Sequence, residues 1–260
     1  MPSCAPIGVF DSGVGGISVL AEARRLLPRE RFIYFGDTLN APYGTRTPEE
    51  VLALAEAAFD RLRERNCKAV VIACNTATAA AAAQLRAAWP EIPIIGMEPA
   101  LKPASMLRHG GSVLVLATPM TLRLEKFRRL MALYGEGAVP VACPGLPEIV
   151  ERLDFAGAKD YLEERLAGFI RPAPDAVVLG CTHYVFLRET LRGLLPEGVP
   201  IVDGNLGTAR QLVRVLTQRD LLTDDPGEGT CELISSSPEP DALRLMETLL
   251  RMAEDACDRT

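Results

Sequence analysis

The feature that most constrains this chain is a short apolar run ending in cysteine, and it occurs twice. The two copies are Ala69-Val-Val-Ile-Ala-Cys74-Asn-Thr76 and Ala176-Val-Val-Leu-Gly-Cys181-Thr-His183. Each run reads as a buried parallel strand, and the small polar residues after it as a strand-to-helix turn. Such a turn carries a thiol to the carboxyl end of a strand, beside the free amides of a helix N-terminus. Ligands bind there in open α/β sheets, and a helix N-terminus favours the thiolate form of cysteine.

The duplication extends beyond the cysteines. Cys181 follows Cys74 by 107 positions (181 − 74), and Pro200 follows Pro93 by the same 107 (200 − 93). This offset sets residues 7–10 against 114–117, the turn at Asp11 against Thr118-Pro119, and the Tyr34 strand against Val141. Leu54, Phe59 and Leu62 fall on Tyr161, Leu166 and Phe169. An ungapped match in element order predicts two α/β domains of similar topology, roughly 1–98 and 105–206. Alternating strands and helices imply mostly parallel sheets with right-handed crossovers and helices on their faces.

Local signals fill in the elements. Residues 7–11 form a strand, the glycine turn Ser12-Gly-Val-Gly-Gly16 follows, and a helix runs from about 17 to 27. A second strand, 31–35, leads into Gly36-Asp37 and the loop containing Pro42-Tyr43-Gly44. Thr47, Pro48 and Glu50 form a capping box, with Val51, Ala55, Ala58, Phe59 and Leu62 as the buried helix face. Beyond the repeat, a helix over 205–222, a strand over 230–234 and a helix capped from Ser237 are too little to fold alone. They must pack back onto one of the domains.

With 48% hydrophobic and 24% charged residues, the 260-residue chain has the composition of a soluble globular protein with real cores. A formal charge of −6 argues against a nucleic-acid partner or an anionic membrane surface. The N-terminus lacks a signal-peptide pattern, and no stretch approaches the roughly 20 apolar residues of a membrane span. Seven cysteines without disulfide spacing fit a reducing cytoplasm. Cys4, Cys67, Cys143, Cys231 and Cys257 have no matching strand-to-turn context and read as core or surface thiols.

The candidate groups each have a plainer reading. Cys74 and Cys181 could be small buried hydrophobes, but two at equivalent repeat positions point to chemistry, as a base on one face of a carbon and an acid on the other. A zinc site lacks ligands, since His109 is the only histidine besides His183. His183 is either a structural histidine or a group that holds a thiolate or assists proton transfer. Asp11 is either an N-cap or a carboxylate that orients Cys74 or meets a substrate amine. Pro42-Tyr43-Gly44 is a turn whose amides could serve the same cleft. Asp37 and Glu151 read first as capping or solvated residues. The glycine turn is not a dinucleotide fingerprint, and no lysine sits where a pyridoxal Schiff base would need one.

Taken together, Asp11-Ser-Gly-Val-Gly-Gly16, Gly36-Asp37 with Pro42-Tyr43-Gly44, Ala73-Cys74-Asn75-Thr76, Glu98-Pro99 and Gly180-Cys181-Thr182-His183-Tyr184 resemble glutamate racemases of the aspartate/glutamate racemase superfamily. The resemblance spans about residues 7 to 206, and both cysteines are present, unlike in members that keep one thiol. It implies a cofactor-independent, metal-free isomerase supplying D-glutamate for peptidoglycan, with its active site in the cleft between two pseudo-symmetric domains. The implied domains are 1–98 with 207–260 returning to it, and 99–206; homodimers are common in the family. Cys74 would deprotonate D-glutamate and Cys181 L-glutamate, supported by Asp11 and His183 respectively. Asp37 and Glu151 match further acidic positions. Ser12, Tyr43, Gly44, Asn75, Thr76, Thr182 and His183 would hold the substrate. The chain departs from the family pattern at Val185, where proline is usual, and at Gly204, where serine is common. Alternatives are a racemase of aspartate or another acidic amino acid, or a non-catalytic dicarboxylate-binding protein.

Overall fold

The strand at Ile7–Asp11 (β1) is followed by α1 (Ile17–Leu26), β2 (Phe32–Gly36), α2 (Pro48–Glu64), β3 (Ala69–Ile72), α3 (Asn75–Ala88) and β4 (Ile94–Gly96). Next come α4 (Leu101–Ser105), β5 (Val113–Ala117), α5 (Pro119–Arg123), α6 (Glu125–Tyr134), β6 (Ala138–Ala142), α7 (Leu146–Glu151) and α8 (Phe155–Leu166). Then follow β7 (Ala176–Leu179), α9 (Arg188–Leu194), β8 (Ile201–Asp203), α10 (Asn205–Gln218), β9 (Cys231–Ser235) and α11 (Pro240–Cys257). Short 3-10 helices occupy Tyr43–Thr45 and Thr182–Leu187. This computed structural model describes residues 3–257.

The described residues through Met97, together with those from Asn205 onward, form one compact unit, and Glu98–Gly204 forms another. The first holds a sheet of order β4-β3-β1-β2-β9 and the second one of order β6-β5-β7-β8, with every neighbouring pair parallel. Read in reverse, β8-β7-β5-β6 matches β4-β3-β1-β2 element for element. The α/β reading with two mostly parallel, helix-flanked sheets therefore holds.

The repeat needs one correction. Ile7 pairs with Ala69, and Val113 pairs with Ala176. Since Ala69 and Ala176 are equivalent, Ile7 corresponds to Val113, an offset of 106 (113 − 7), and not to Leu114. By the same register Asp11 corresponds to Ala117 and Tyr34 to Pro140. A one-residue slip turns every strand side chain to the other face, and an ungapped alignment cannot contain that slip.

Both faces of the second sheet are covered, as a doubly wound sheet requires. Val113, Val115, Ala176 and Val178 pack with Leu101 and Phe127 on one side. Leu114, Leu116, Val177 and Leu179 pack with Leu162 and Leu191 on the other. Each buried valine, leucine or phenylalanine among them contributes about 1.5–3 kcal/mol. In the first unit, the capping box forms as the sequence predicts: Glu50 N donates to Thr47 Oγ1 at 3.2 Å, and Thr47 N to Glu50 Oε2 at 2.8 Å. Val51, Ala55, Ala58, Phe59 and Leu62 form the buried face. Helix α10 stops earlier than expected, because Asp220 adopts φ +52° and Leu221 N turns back to Leu216 O.

The last section extends the first sheet. β9 lies parallel to β2, pairing Phe32 with Cys231 through Gly36 with Ser235. α11 buries Met246, Leu249 and Ala253. A buried ion pair anchors the incoming chain: Lys68 Nζ lies 2.6 Å from Glu30 Oε2, and Glu30 Oε1 accepts from Thr223 N at 2.8 Å.

Candidate active site

In the first unit the site grows from the carboxyl ends of three neighbouring strands, β3, β1 and β2. Asp11 is the last residue of β1, fully buried, and its Oδ1 accepts from Gly13 N at 2.8 Å and Ser12 Oγ at 3.3 Å. Gly16 lets the turn lie flat here: a Cβ on it would come within 2.7 Å of both Asp11 and Ala73. One residue beyond Ala73, Cys74 is the N-cap of α3 and is 6% exposed. Its Sγ accepts from Ala77 N at 3.4 Å and contacts Ser12 Oγ at 3.6 Å. The amide contact gains strength when the sulfur is negative. Asn75 and Thr76 follow on the first turn of α3, both buried. Among the described residues, neither polar atom of the Asn75 side chain has a protein hydrogen-bond partner.

Asp37 sits one residue past β2, with its amide on Asp11 O at 3.0 Å. Its carboxylate accepts from Tyr43 Oη at 2.7 Å and from Asn40 Nδ2 at 3.0 and 3.1 Å. Asp37 is thus a buried acceptor that aims Tyr43, not a solvated residue. Burial, reinforced by the Asp37 hydrogen bond and charge, pushes the Tyr43 hydroxyl far above its ordinary pKa, so it remains a donor. Gly44 lies beside it in the 3-10 turn, partly exposed.

In the second unit Cys181 follows β7 by way of Gly180, is 8% exposed, and precedes the 3-10 helix Thr182–Leu187. Its Sγ lies 3.8 Å from His183 Nδ1, and His183 Nε2 lies 3.0 Å from Oε1 of Glu151, the last residue of α7. Burial opposes a charged ring, but Cys181 and Glu151 outweigh it and hold the His183 pKa well above its ordinary value. Thr182 is buried alongside. Both units therefore present a cysteine backed by a polar chain, Cys74–Ser12–Asp11 in one and Cys181–His183–Glu151 in the other.

Three participants escape the sequence reading. Asn40 holds Asp37, Tyr184 Oη donates to Cys143 O at 3.0 Å, and Cys143 itself stands directly after β6. The expectation that Cys143 lacks strand-to-turn context is wrong. The repeat already set a strand at Val141, and its Pro140 is tolerated because β6 is an edge strand. Cys143 is fully buried and its thiol is pushed up to about 12 by burial, so it stays protonated. Among the described residues, no group of three or more His, Cys, Asp and Glu could hold a metal ion. No described helix is long and apolar enough to cross a membrane.

The Asp/Glu/hydantoin racemase family model matches residues 16–212. A glutamate racemase of Clostridium perfringens is 44% identical over 252 residues, covering 95% of this chain and 97% of its own. The chain belongs to the glutamate racemase family. The crystal structure of a Bacillus anthracis glutamate racemase isoform superposes with a TM-score of 0.85 at 32% identity, covering 95% of this chain and 94% of that one. The Francisella tularensis glutamate racemase, crystallised with D-glutamate, superposes with a TM-score of 0.83 at 26% identity, covering 96% and 94%. Membership in the glutamate racemases makes the protein an isomerase. Of the family departures, Val185 packs against the core within the 3-10 helix, and Gly204 stands between β8 and α10.

Proposed function

We propose that this chain interconverts L- and D-glutamate without a cofactor, using Cys74 and Cys181 as paired acid–base groups. The observation that carries this reading is the recurrence of one device, a nearly buried thiol at the end of a parallel strand, backed by its own polar chain in each unit. With D-glutamate, the Cys74 thiolate takes the α-proton, and the C–H electron pair passes into a carbanion delocalised onto the carboxylate. The Cys181 thiol then gives its proton to the opposite face, leaving a Cys74 thiol and a Cys181 thiolate. L-glutamate runs the same steps in reverse. The two thiols must hold opposite protonation states, so their titrations are coupled.

The contacts and the family resemblance together support the remaining roles. Asp11 acts on Cys74 through Ser12. His183, held by Glu151, pairs with the Cys181 thiolate. Asp37 aims the Tyr43 hydroxyl, and Ser12, Tyr43, Gly44, Asn75, Thr76, Thr182 and His183 receive the substrate's carboxylates and amine. Preorganised donors of this kind stabilise developing charge far better than water does.

Incubation with either enantiomer in D2O, without pyridoxal phosphate, tests the reading. Loss of optical rotation together with α-deuterium incorporation is expected; no change with either enantiomer at high enzyme concentration would refute it. Faster turnover of aspartate would reassign the substrate alone. The D-glutamate would serve peptidoglycan synthesis, so added D-glutamate should rescue growth of cells depleted of the protein. The seven cysteines lack the spacing of a disulfide framework, which supports a reducing cytoplasm. A homodimer, proposed on family resemblance, is checked by light scattering.

A further inference from the structure

Gly13 is the pivot of the turn that carries Ser12 to Cys74, and glycine by itself accepts either sign of φ. A contact from outside the turn adds to what fixes its peptide orientation. Tyr34, on β2 and fully buried, donates its hydroxyl to Gly13 O at 2.9 Å. The 13–14 peptide is not among the cis bonds, so holding its carbonyl toward Tyr34 holds the Val14 amide pointing the opposite way. The amide of Gly13 in turn stays on Asp11 Oδ1 at 2.8 Å. The same carbonyl is pressed against the end of β2, where a Cβ on Gly36 would lie 2.5 Å from it. Sequence order hides this contact, because Tyr34 reaches the turn from the adjacent strand.

We propose that Tyr34 is a positioning residue, whose hydroxyl locks the Ser12–Gly13 turn so that Ser12 and Asp11 stay engaged with Cys74. This rests on the two-thiol racemase reading. Under that reading Tyr34 acts only on the Cys74 step and leaves the Cys181 step alone. Slowing one deprotonation makes it more rate-limiting for the enantiomer it serves and less so for the other.

The test compares wild type with Tyr34→Phe, using D- and L-glutamate deuterated at the α-carbon. Tyr34→Phe is expected to lower kcat about tenfold, the scale expected when a reacting group is slightly misplaced. The deuterium isotope effect on kcat/KM should rise for D-glutamate and fall for L-glutamate. A loss of folded enzyme lowers both rates and moves neither isotope effect. An unchanged rate, or a lower rate with isotope effects unmoved, overturns the proposal. Should Tyr34→Phe fail to fold, 4-aminophenylalanine at position 34, which keeps a weaker donor, is read by the same criteria, with smaller shifts in the same directions expected. An inactive wild type overturns the racemase reading and this inference with it; an active wild type with unmoved isotope effects overturns this inference alone.

Discussion

His183 Nε2 and Glu151 Oε1 lie 3.0 Å apart, joining the start of one 3-10 helix to the end of α7. Burial disfavours the charged ring, yet Cys181 and Glu151 together hold it protonated well above the ordinary range. The chain has two histidines, so ring NMR signals are readily assigned against His109. His183 should titrate clearly above its ordinary value of about 6.5 in wild type and lower in Glu151→Gln. Equal titration in the two proteins would contradict the pairing.

The same shift has a consequence for stability. Because the folded-state pKa is raised, the folded protein binds this proton more tightly than the unfolded chain does. The contribution is fully present below about pH 6.5, and is lost as pH rises through the folded-state value. Urea unfolding of wild type and His183→Gln should therefore show a stability gap that narrows toward alkaline pH. A gap that widens would reverse the assignment.

Removing either thiol should stop racemisation while the fold survives, since a cysteine-to-serine exchange changes little volume. Cys74→Ser and Cys181→Ser are each expected to lower kcat by roughly 10²–10⁴-fold, the scale of a lost acid–base group. Circular dichroism would verify the fold, and full activity in either variant would rule out the two-thiol mechanism.

Asn75 offers a test of binding as distinct from proton transfer. Its buried amide lacks a protein partner among the described residues, and an unsatisfied buried group costs about 1–3 kcal/mol. Asn75→Ala is expected to leave the melting temperature unchanged or higher while raising KM. A lower melting temperature with KM unaltered would make Asn75 a structural residue.

Lys68 and Glu30 are expected to matter for stability alone. Lys68→Met leaves the Glu30 carboxylate buried beside Thr223 without its cation, a loss of about 3–5 kcal/mol. Denaturant titration measures it, and a change below about 1 kcal/mol would show that water reaches the carboxylate.

Much of the molecule is legible in the amino-acid order because the decisive signals are local. An apolar run of four residues ahead of Cys74 and another ahead of Cys181 suffice to name β3 and β7, and Thr47-Pro48-Glu50 carries its own capping geometry. The family motifs likewise sit in contiguous stretches, which is why Cys74, Cys181, Asp11 and His183 could be singled out. Tertiary structure alone decided what depends on pairing across the chain. Register assigns Ile7 to Val113, a slip that composition cannot report. The edge position of β6 makes room for Pro140 and puts Cys143 at a strand end. Asp37 reads as a cap until Tyr43 and Asn40 are seen on its carboxylate, and Glu151 reads as solvated until His183 is seen against it. β9 joins β2, Lys68 meets Glu30, and Tyr34 reaches Gly13, all through contacts whose partners are far apart in sequence. A hydrogen bond between distant residues leaves no periodicity in either neighbourhood, so only the folded chain reveals it.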